Sequence, residues 1–207
     1  MRAILAVLSI AVLATFAATA NAAVRATGCA KVAMPKTAPR HAPKPTAKLN
    51  PKKTYYVTMQ TNCGSFTFRL AVKTSPHVSA SFVSLVKRGF FNKTIFHRIV
   101  PGFIIQGGDP TATGTGGPGY ETVDTPPKTL RYTHGIVAMA KTQTEARGTS
   151  GSQFFVMTAN AQLPPDYALL GIVTKGLAVV DRIGKLGNSS EQPTQVVEIE
   201  RAFVTVK

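Results

Sequence analysis

Short β-prone runs separated by glycine and proline fill most of the chain beyond its first quarter, and this pattern restricts the fold more than any other feature. The first two runs flank a turn at residues 62–64. In the second run, Phe66, Phe68 and Leu70 alternate with polar residues, which is the period of a half-buried strand. Many short strands with such turns favour an all-β barrel. We therefore predict one mostly β domain over residues 54–207.

Two segments interrupt this pattern with the apolar spacing of helices. Ser75 and Pro76 suit the N-cap and the first helical residue of the first one, which ends at Gly89. The second predicted helix covers residues 177–186. A last strand is predicted over residues 196–206, although apolar residues on both of its faces leave its buried side undecided.

Residues 1–22 have the composition of an export signal. Arg2 gives a positive start, residues 3–18 are apolar or small, and residues 20–22 form an A-x-A cleavage site. The apolar run is short for a membrane-spanning helix, which needs about 20 residues. We predict cleavage after Ala22 and an exported protein, secreted or held in the cell envelope, with an uncleaved anchor as the alternative.

Residues 23–53 form a basic arm that contains five prolines. The formal net charge of the chain is +15, and residues 1–53 contain nine Lys or Arg and no acidic residue. Such a composition buries too little apolar surface to offset ordering, so the arm is expected to be extended or disordered. Its charge permits contact with the cell envelope. No aromatic residues alternate with the bases, so no nucleic-acid partner is expected.

The chain has two cysteines, Cys29 and Cys63. Neither has the spacing of a zinc or redox site, and the histidines form no cluster with acidic residues, so we predict no metal and no cofactor. In an oxidising compartment the two cysteines can form a disulfide. Two alternatives remain open: Cys29 follows a partial lipobox and could take a lipid, or both thiols could be free.

Residues 96–110, FHRIVPGFIIQGGDP, place one cation and one amide among large apolar side chains. Arg98 is costly to bury without a partner, and such a residue is usually kept for a task. This run closely resembles the signature of the cyclophilins, a family of peptidyl-prolyl cis-trans isomerases. Three further blocks follow in the family's order, and these are residues 114–120, 135–140 and 151–158.

The resemblance extends from about residue 55 to residue 207 and, with the export signal, indicates an exported bacterial cyclophilin. It implies a closed eight-stranded antiparallel β-barrel capped by two α-helices, and substrates that are proline-containing polypeptides. We expect a monomer, because a closed barrel has no free strand edges.

The implied reaction breaks no bond. Amide resonance sets the barrier to rotation, and a catalyst needs only to bind the twisted X-Pro bond better than the planar forms. By resemblance, Arg98 is the catalytic cation, and Gln106 orients it and meets the substrate backbone. The guanidinium suits this role because it stays charged and offers five donors in a fixed fork.

The resemblance also assigns a proline pocket and a groove for the residues that precede the proline. The pocket residues are Phe103, Ile104, Phe155, Leu163 and Tyr167. The groove residues are Ala140, Lys141, Thr142 and Gln153. Tyr167 occupies the place of a pocket histidine, and the chain lacks the tryptophan that contacts cyclosporin in the family. The altered segment 163–167 leaves one alternative function, a proline-segment binding module or envelope chaperone with incidental catalysis.

Overall fold

The computed structural model describes residues 28–207, so the predicted export signal and its cleavage site lie outside the described residues. The described residues contain ten strands and two helices. The strands are β1 Tyr55–Thr61, β2 Gly64–Leu70, β3 Thr94–Val100, β4 Ile104–Gly107, β5 Thr122–Val123, β6 Ile136–Met139, β7 Thr149–Ser150, β8 Phe154–Met157, β9 Leu169–Lys175 and β10 Glu198–Val206. The helices are α1 Pro76–Lys87 and α2 Leu177–Gly184.

Eight strands close into an antiparallel barrel in the order β1-β10-β3-β4-β8-β6-β9-β2, and β5 and β7 form a separate two-stranded sheet. The predicted mostly β barrel with two helices is therefore confirmed. Helix α1 packs against β10 and β5, whereas α2 packs against β2, β3 and β4. Within residues 28–207 we find no helix with the length and apolar character that a membrane span requires.

Aromatic rings fill the barrel interior, because alternate residues of each strand point inward. The Phe82 ring of α1 stacks on Phe91 at 4.6 Å between centroids and meets the Phe154 ring of β8 edge-on at 5.5 Å. At the other helix, Val180 and Ile183 of α2 are fully buried. The apolar face that the sequence predicts for each helix is thus the face that packs on the barrel.

The pairing of β10 with β1 explains why the alternation of residues in the sequence did not identify the buried face of β10. Gln60 pairs with Arg201 and Thr61 pairs with Ile199, so one extra residue, Glu200, bulges from β10. Ile199 and Ala202 are both buried although they are three residues apart. A bulge moves the later residues to the opposite face, and a strict period of two cannot reproduce that shift.

Residues 28–53 of the arm, which were expected to be extended or disordered, are extended but not disordered. This segment has no helix or strand, as an extended chain would, but it is attached to the barrel. Cys29 and Cys63 form a disulfide, which is the first of the three alternatives, and Ala30 exchanges hydrogen bonds with Asn62 at 2.8 and 2.7 Å. Leu49 packs against the barrel core. Composition missed these contacts because their partners belong to the barrel.

The disulfide closes a loop between residues 34 apart in the sequence. A cross-link of that span typically stabilises a fold by about 2–4 kcal/mol, mainly by restricting the unfolded chain. It also occupies the sulfur of Cys29 to which a lipid would be attached. The remaining arm is therefore held at its start by a covalent bond.

Candidate active site

Strand pairing brings the predicted catalytic residues together on the outer face of the barrel. Arg98 of β3 lies opposite Gln106 of β4, and Gln106 lies opposite Phe155 of β8. Directly opposed residues of neighbouring strands have their side chains on the same face and in contact range. A cation, an amide and an aromatic ring therefore stand in a row across three strands.

A chain of hydrogen bonds connects these side chains to a nearby loop. Arg98 Nη1 donates to Gln106 Oε1 at 3.2 Å, and Gln106 Nε2 donates to Gln153 Oε1 at 3.1 Å. Gln153 Nε2 in turn donates to the carbonyl oxygens of Gly114 at 2.8 Å and Gly116 at 3.0 Å. Each amide orients the next one, so the position of the guanidinium depends on the loop at residues 110–120.

Asp109, which is buried at the start of this loop, folds it. Its carboxylate accepts hydrogen bonds from the backbone N–H groups of Thr111, Thr113, Gly114 and Gly116. Burial alone would raise the pKa of Asp109, but the hydrogen bonds outweigh it and lower the pKa below its usual range. A Cβ at Gly116 would lie 2.0 Å from Asp109 Oδ1, so only glycine fits there. The sequence reasoning missed this role, although the GGD motif contains the residue.

Glu191 is a second residue that the sequence reasoning missed. Its Oε2 accepts a hydrogen bond from Arg98 Nε at 2.6 Å, and the two side chains are 45% and 36% exposed. This hydrogen bond and the charge of Arg98 lower the pKa of Glu191. Glu191 has a φ of 62°, and its carbonyl accepts the N–H of Ile99 at 2.9 Å. A tight turn that begins at Asn188 thus fixes the carboxylate beside the guanidinium.

The predicted proline pocket is an apolar cluster outside the barrel wall. Two of the five predicted pocket residues, Ile104 and Phe155, are buried in this cluster. The other three are half-buried at its edge, and these are Phe103, Leu163 and Tyr167. The rings of Phe155 and Tyr167 meet edge-on at 5.4 Å. Half-buried apolar side chains leave surface for a ligand such as a proline ring to cover.

Tyr132, which the sequence reasoning did not select, supports this pocket from below. Its hydroxyl donates to the carbonyl oxygen of Tyr167 at 2.8 Å and accepts the N–H of Tyr167 at 3.0 Å. Burial raises the pKa of Tyr132 to about 12, so the hydroxyl stays protonated and keeps both bonds. These two hydrogen bonds fix Tyr167 in the altered segment, residues 163–167.

The predicted groove residues line a cavity of about 960 Å³ that begins at Gln106 and Gln153. The N–H of Ala140 donates to the carbonyl oxygen of Gln153 at 2.9 Å. Lys141 Nζ donates to the carbonyl oxygen of Thr142 at 2.9 Å and lies 5.7 Å from the centre of the Tyr167 ring. Lys141 therefore connects the groove to the pocket by a cation–π contact.

His97, next to Arg98, is buried, and neither of its ring nitrogens has a hydrogen-bond partner within residues 28–207. Burial is the main cause that lowers the pKa of His97. His77 and His134 lie next to Asp124 and Asp181. Across the described part of the chain, no group of His, Cys, Asp and Glu has the arrangement of a metal site.

Comparison with known proteins identifies the same region. The family described as cyclophilin type peptidyl-prolyl cis-trans isomerase/CLD matches residues 56–204. A peptidyl-prolyl cis-trans isomerase of Arabidopsis thaliana is 38% identical over 154 residues, which are 72% of this chain and 92% of that protein. The human peptidyl-prolyl cis-trans isomerase-like 1 is 39% identical over 153 residues, which are 71% of this chain and 90% of that protein.

Solved structures agree with the fold. A cyclophilin type peptidyl-prolyl cis-trans isomerase of Cryptosporidium parvum has a TM-score of 0.68 and 31% identity, over 73% of this chain and 98% of that one. A crystal structure of the same protein in the presence of the dipeptide Ala-Pro has a TM-score of 0.67 and 32% identity, over 72% of this chain and 98% of that one. The chain belongs to the family of cyclophilin-type peptidyl-prolyl cis-trans isomerases.

Proposed function

We propose that this protein catalyses the rotation of X-Pro peptide bonds in exported polypeptides, with Arg98 as the catalytic cation. The isomerase activity follows from the family and from the relatives that share it. The observation that supports the residue assignment is the guanidinium of Arg98 on the same face as the apolar pocket, beside the amide of Gln106.

The pocket and the cation act on different parts of the substrate. The apolar side chains around Phe155 hold the proline ring, which stabilises the planar and twisted forms alike. When the X-Pro amide twists, its nitrogen loses resonance and gains electron density, and an N–H of Arg98 then donates to it. Because only the twisted form offers that acceptor, this bond stabilises the transition state selectively.

Gln106 and Glu191 hold the guanidinium from two sides, at Nη1 and Nε. A donor that is already aligned needs little reorganisation when charge develops. The groove beside Gln153 then holds the backbone that precedes the proline, as the family resemblance implies. No covalent intermediate and no cofactor are needed for this reaction.

The exported location is part of the proposal. It is supported by the composition of residues 1–22 and by the Cys29–Cys63 disulfide, a bond that is rare in reducing compartments. The relatives named above are eukaryotic, so they give no support to the bacterial origin that the sequence suggested.

We also propose that the protein is a monomer and that its basic arm contacts the envelope. The mature N-terminus should begin at Ala23, which mass spectrometry of the exported protein measures.

Arg98→Ala is the direct test of the mechanism. We expect kcat/KM for a short X-Pro peptide to fall by about 10²- to 10³-fold, the usual loss when one aligned donor to a transition state is removed. Arg98→Lys should recover little of it, because an ammonium cannot reproduce the fork that meets both Gln106 and Glu191. Arg69→Ala is the matched control, since Arg69 is an exposed arginine on strand β2.

The same variant separates catalysis from simple binding. An enzyme should lose turnover in Arg98→Ala while it still binds a proline peptide, whereas a binding module would keep its biological role without turnover. A NMR exchange assay on a short X-Pro peptide measures turnover, and titration with the same peptide measures binding. An Arg98→Ala variant that is as fast as the parent would show that the proposed mechanism is wrong.

A further inference from the structure

The arm lies beside the substrate groove and is bound to the loop that forms it. The N–H of Ala38 donates to the carbonyl oxygen of Pro110 at 3.2 Å, and the N–H of Ala42 donates to that of Pro118 at 3.0 Å. Both acceptors belong to the loop that Asp109 folds and that Gln153 contacts. Residues 38–42 are therefore fixed at both ends against one side of the groove.

Arg40 determines which side of the arm faces the groove. Its Nη1 donates to the carbonyl oxygens of Phe90 and Asn92, the latter at 2.8 Å, and its partial burial lowers its pKa. Side chains alternate along an extended chain, so Pro39 and His41 point away from the side that Arg40 occupies. Both of these residues line the groove cavity.

The cavity is continuous from the candidate active site to the arm. Gln106 and Gln153 of the candidate site line it, and so do Pro39 and His41 of the arm. The ring of His41 packs on Gly119, since a Cβ at that position would lie 2.7 Å from His41 Nδ1. The arm is thus the outer wall of the same space that begins beside Arg98.

The distance along the groove corresponds to a few substrate residues. Gln153 contacts Gly116, and His41 contacts Gly119. Three residues span at most about 10 Å when extended. A substrate that runs along this loop would therefore reach the arm within about three residues of the part that Gln153 holds.

We propose that Pro39 and His41 form an outer subsite for the residues that lie up to about three positions before the X residue of an X-Pro pair. The inference rests on the proposed isomerase function and adds its preference for extended polypeptide over short peptides. Both residues lie outside the segment that matches the family, residues 56–204, so the subsite is a property of this chain's own arm. The disulfide and the hydrogen bonds of Arg40 to Phe90 and Asn92 hold the subsite in place against the barrel.

The test compares two peptides on the full chain. One has a single residue before its X-Pro pair, and the other is the same peptide extended at its N-terminus by about four residues, enough to pass the arm. The variant combines Pro39→Ala and His41→Ala. The control combines Lys36→Ala and Thr37→Ala, two exposed residues of the same arm that do not line the groove.

We expect the parent to prefer the extended peptide, and the ratio of kcat/KM for extended over short peptide to fall by about 3- to 10-fold in the Pro39/His41 variant. The control should keep the parent's ratio. A ratio that stays at the parent's value in the Pro39/His41 variant would refute the subsite, and so would a ratio that rises, because the arm would then obstruct the groove.

Binding measured by NMR titration with the same two peptides decides the question independently of turnover. If the parent turns over neither peptide, the proposed function fails. The subsite still stands if the Pro39/His41 variant weakens binding of the extended peptide alone. It fails if the variant binds both peptides as the parent does.

Discussion

Phe154 and Phe155 are neighbours on strand β8, yet they belong to two different apolar regions. Phe154 points into the barrel, where its ring meets those of Phe82, Phe91 and Phe96 at 5.5 to 6.0 Å. Phe155 points outward, where its ring lies 5.4 Å from that of Tyr167. The inner region is buried on every side by rings and aliphatic side chains, whereas the outer one ends at half-exposed side chains and at the Gln106 amide.

The two faces of this sheet differ in what they contribute: the inner face stabilises the fold, and the outer face carries the candidate site. Inside the barrel, the rings are buried among other apolar side chains, so their burial contributes to folding and leaves no surface for a ligand. Outside, the apolar cluster is incomplete, and its edge is joined to polar groups that are held by hydrogen bonds rather than by burial. The proposed substrate would complete that cluster, in agreement with a candidate site on the outer face.

The largest expected effects come from replacing each of the two phenylalanines by alanine in turn. Phe154→Ala should lower the free energy of unfolding by about 3–5 kcal/mol because it leaves a cavity among the inner rings, while the folded fraction keeps its kcat/KM. Phe155→Ala should instead reduce kcat/KM by about tenfold, because the proline ring loses an apolar partner. Urea unfolding and the peptide assay measure the two effects. The division is wrong if Phe154→Ala impairs the folded enzyme and Phe155→Ala does not.

A smaller effect is expected at the polar edge of the outer region. Glu191→Ala should lower kcat about fivefold with KM within about twofold, since an exposed ion pair makes only a small contribution to holding Arg98. Glu191→Gln should restore most of the loss because its amide oxygen can still accept the hydrogen bond of Nε. If the Ala and Gln variants are equally impaired, the negative charge matters rather than the position.

The smallest effect concerns His97, whose neighbours leave its ring without a hydrogen bond. Its pKa in the folded protein lies below the ordinary 6.5, so the unfolded chain takes up a proton that the folded chain resists. The stability that this provides is complete above the unfolded pKa and is lost as the pH falls through the folded pKa. The parent should therefore lose more stability on acidification than His97→Leu. Denaturant unfolding of both proteins at several pH values measures this difference, and parallel losses would contradict it.

Much of the fold could be predicted from local pattern. The first hairpin, the start of α1 at Pro76 and the start of α2 at Leu177 follow from alternation, helix spacing and the position of proline. Helix α2 ends at Gly184 instead of residue 186, and the bulge at Glu200 was not foreseen. Both depend on how the chain pairs with distant segments, about which local periodicity says nothing.

The residues of the candidate site were likewise predicted only in part from the sequence. Motif resemblance predicted Arg98, Gln106 and the pocket residues, and the structure brings them together, although their catalytic roles stay predictions. It did not predict Glu191, which is 93 residues from Arg98, or Tyr132, which is 35 residues from Tyr167. No spacing rule connects residues so far apart.

By itself, the sequence determined the class of fold and the family, and it singled out Arg98 as the candidate catalytic cation, because alternation, turn residues and a dense motif are local properties of the chain. Only the tertiary structure decided what surrounds that cation and where the arm lies. The arm has too few apolar residues to order itself, and it is held by hydrogen bonds, a half-buried guanidinium and a disulfide whose partners all belong to the barrel domain, residues 54–207.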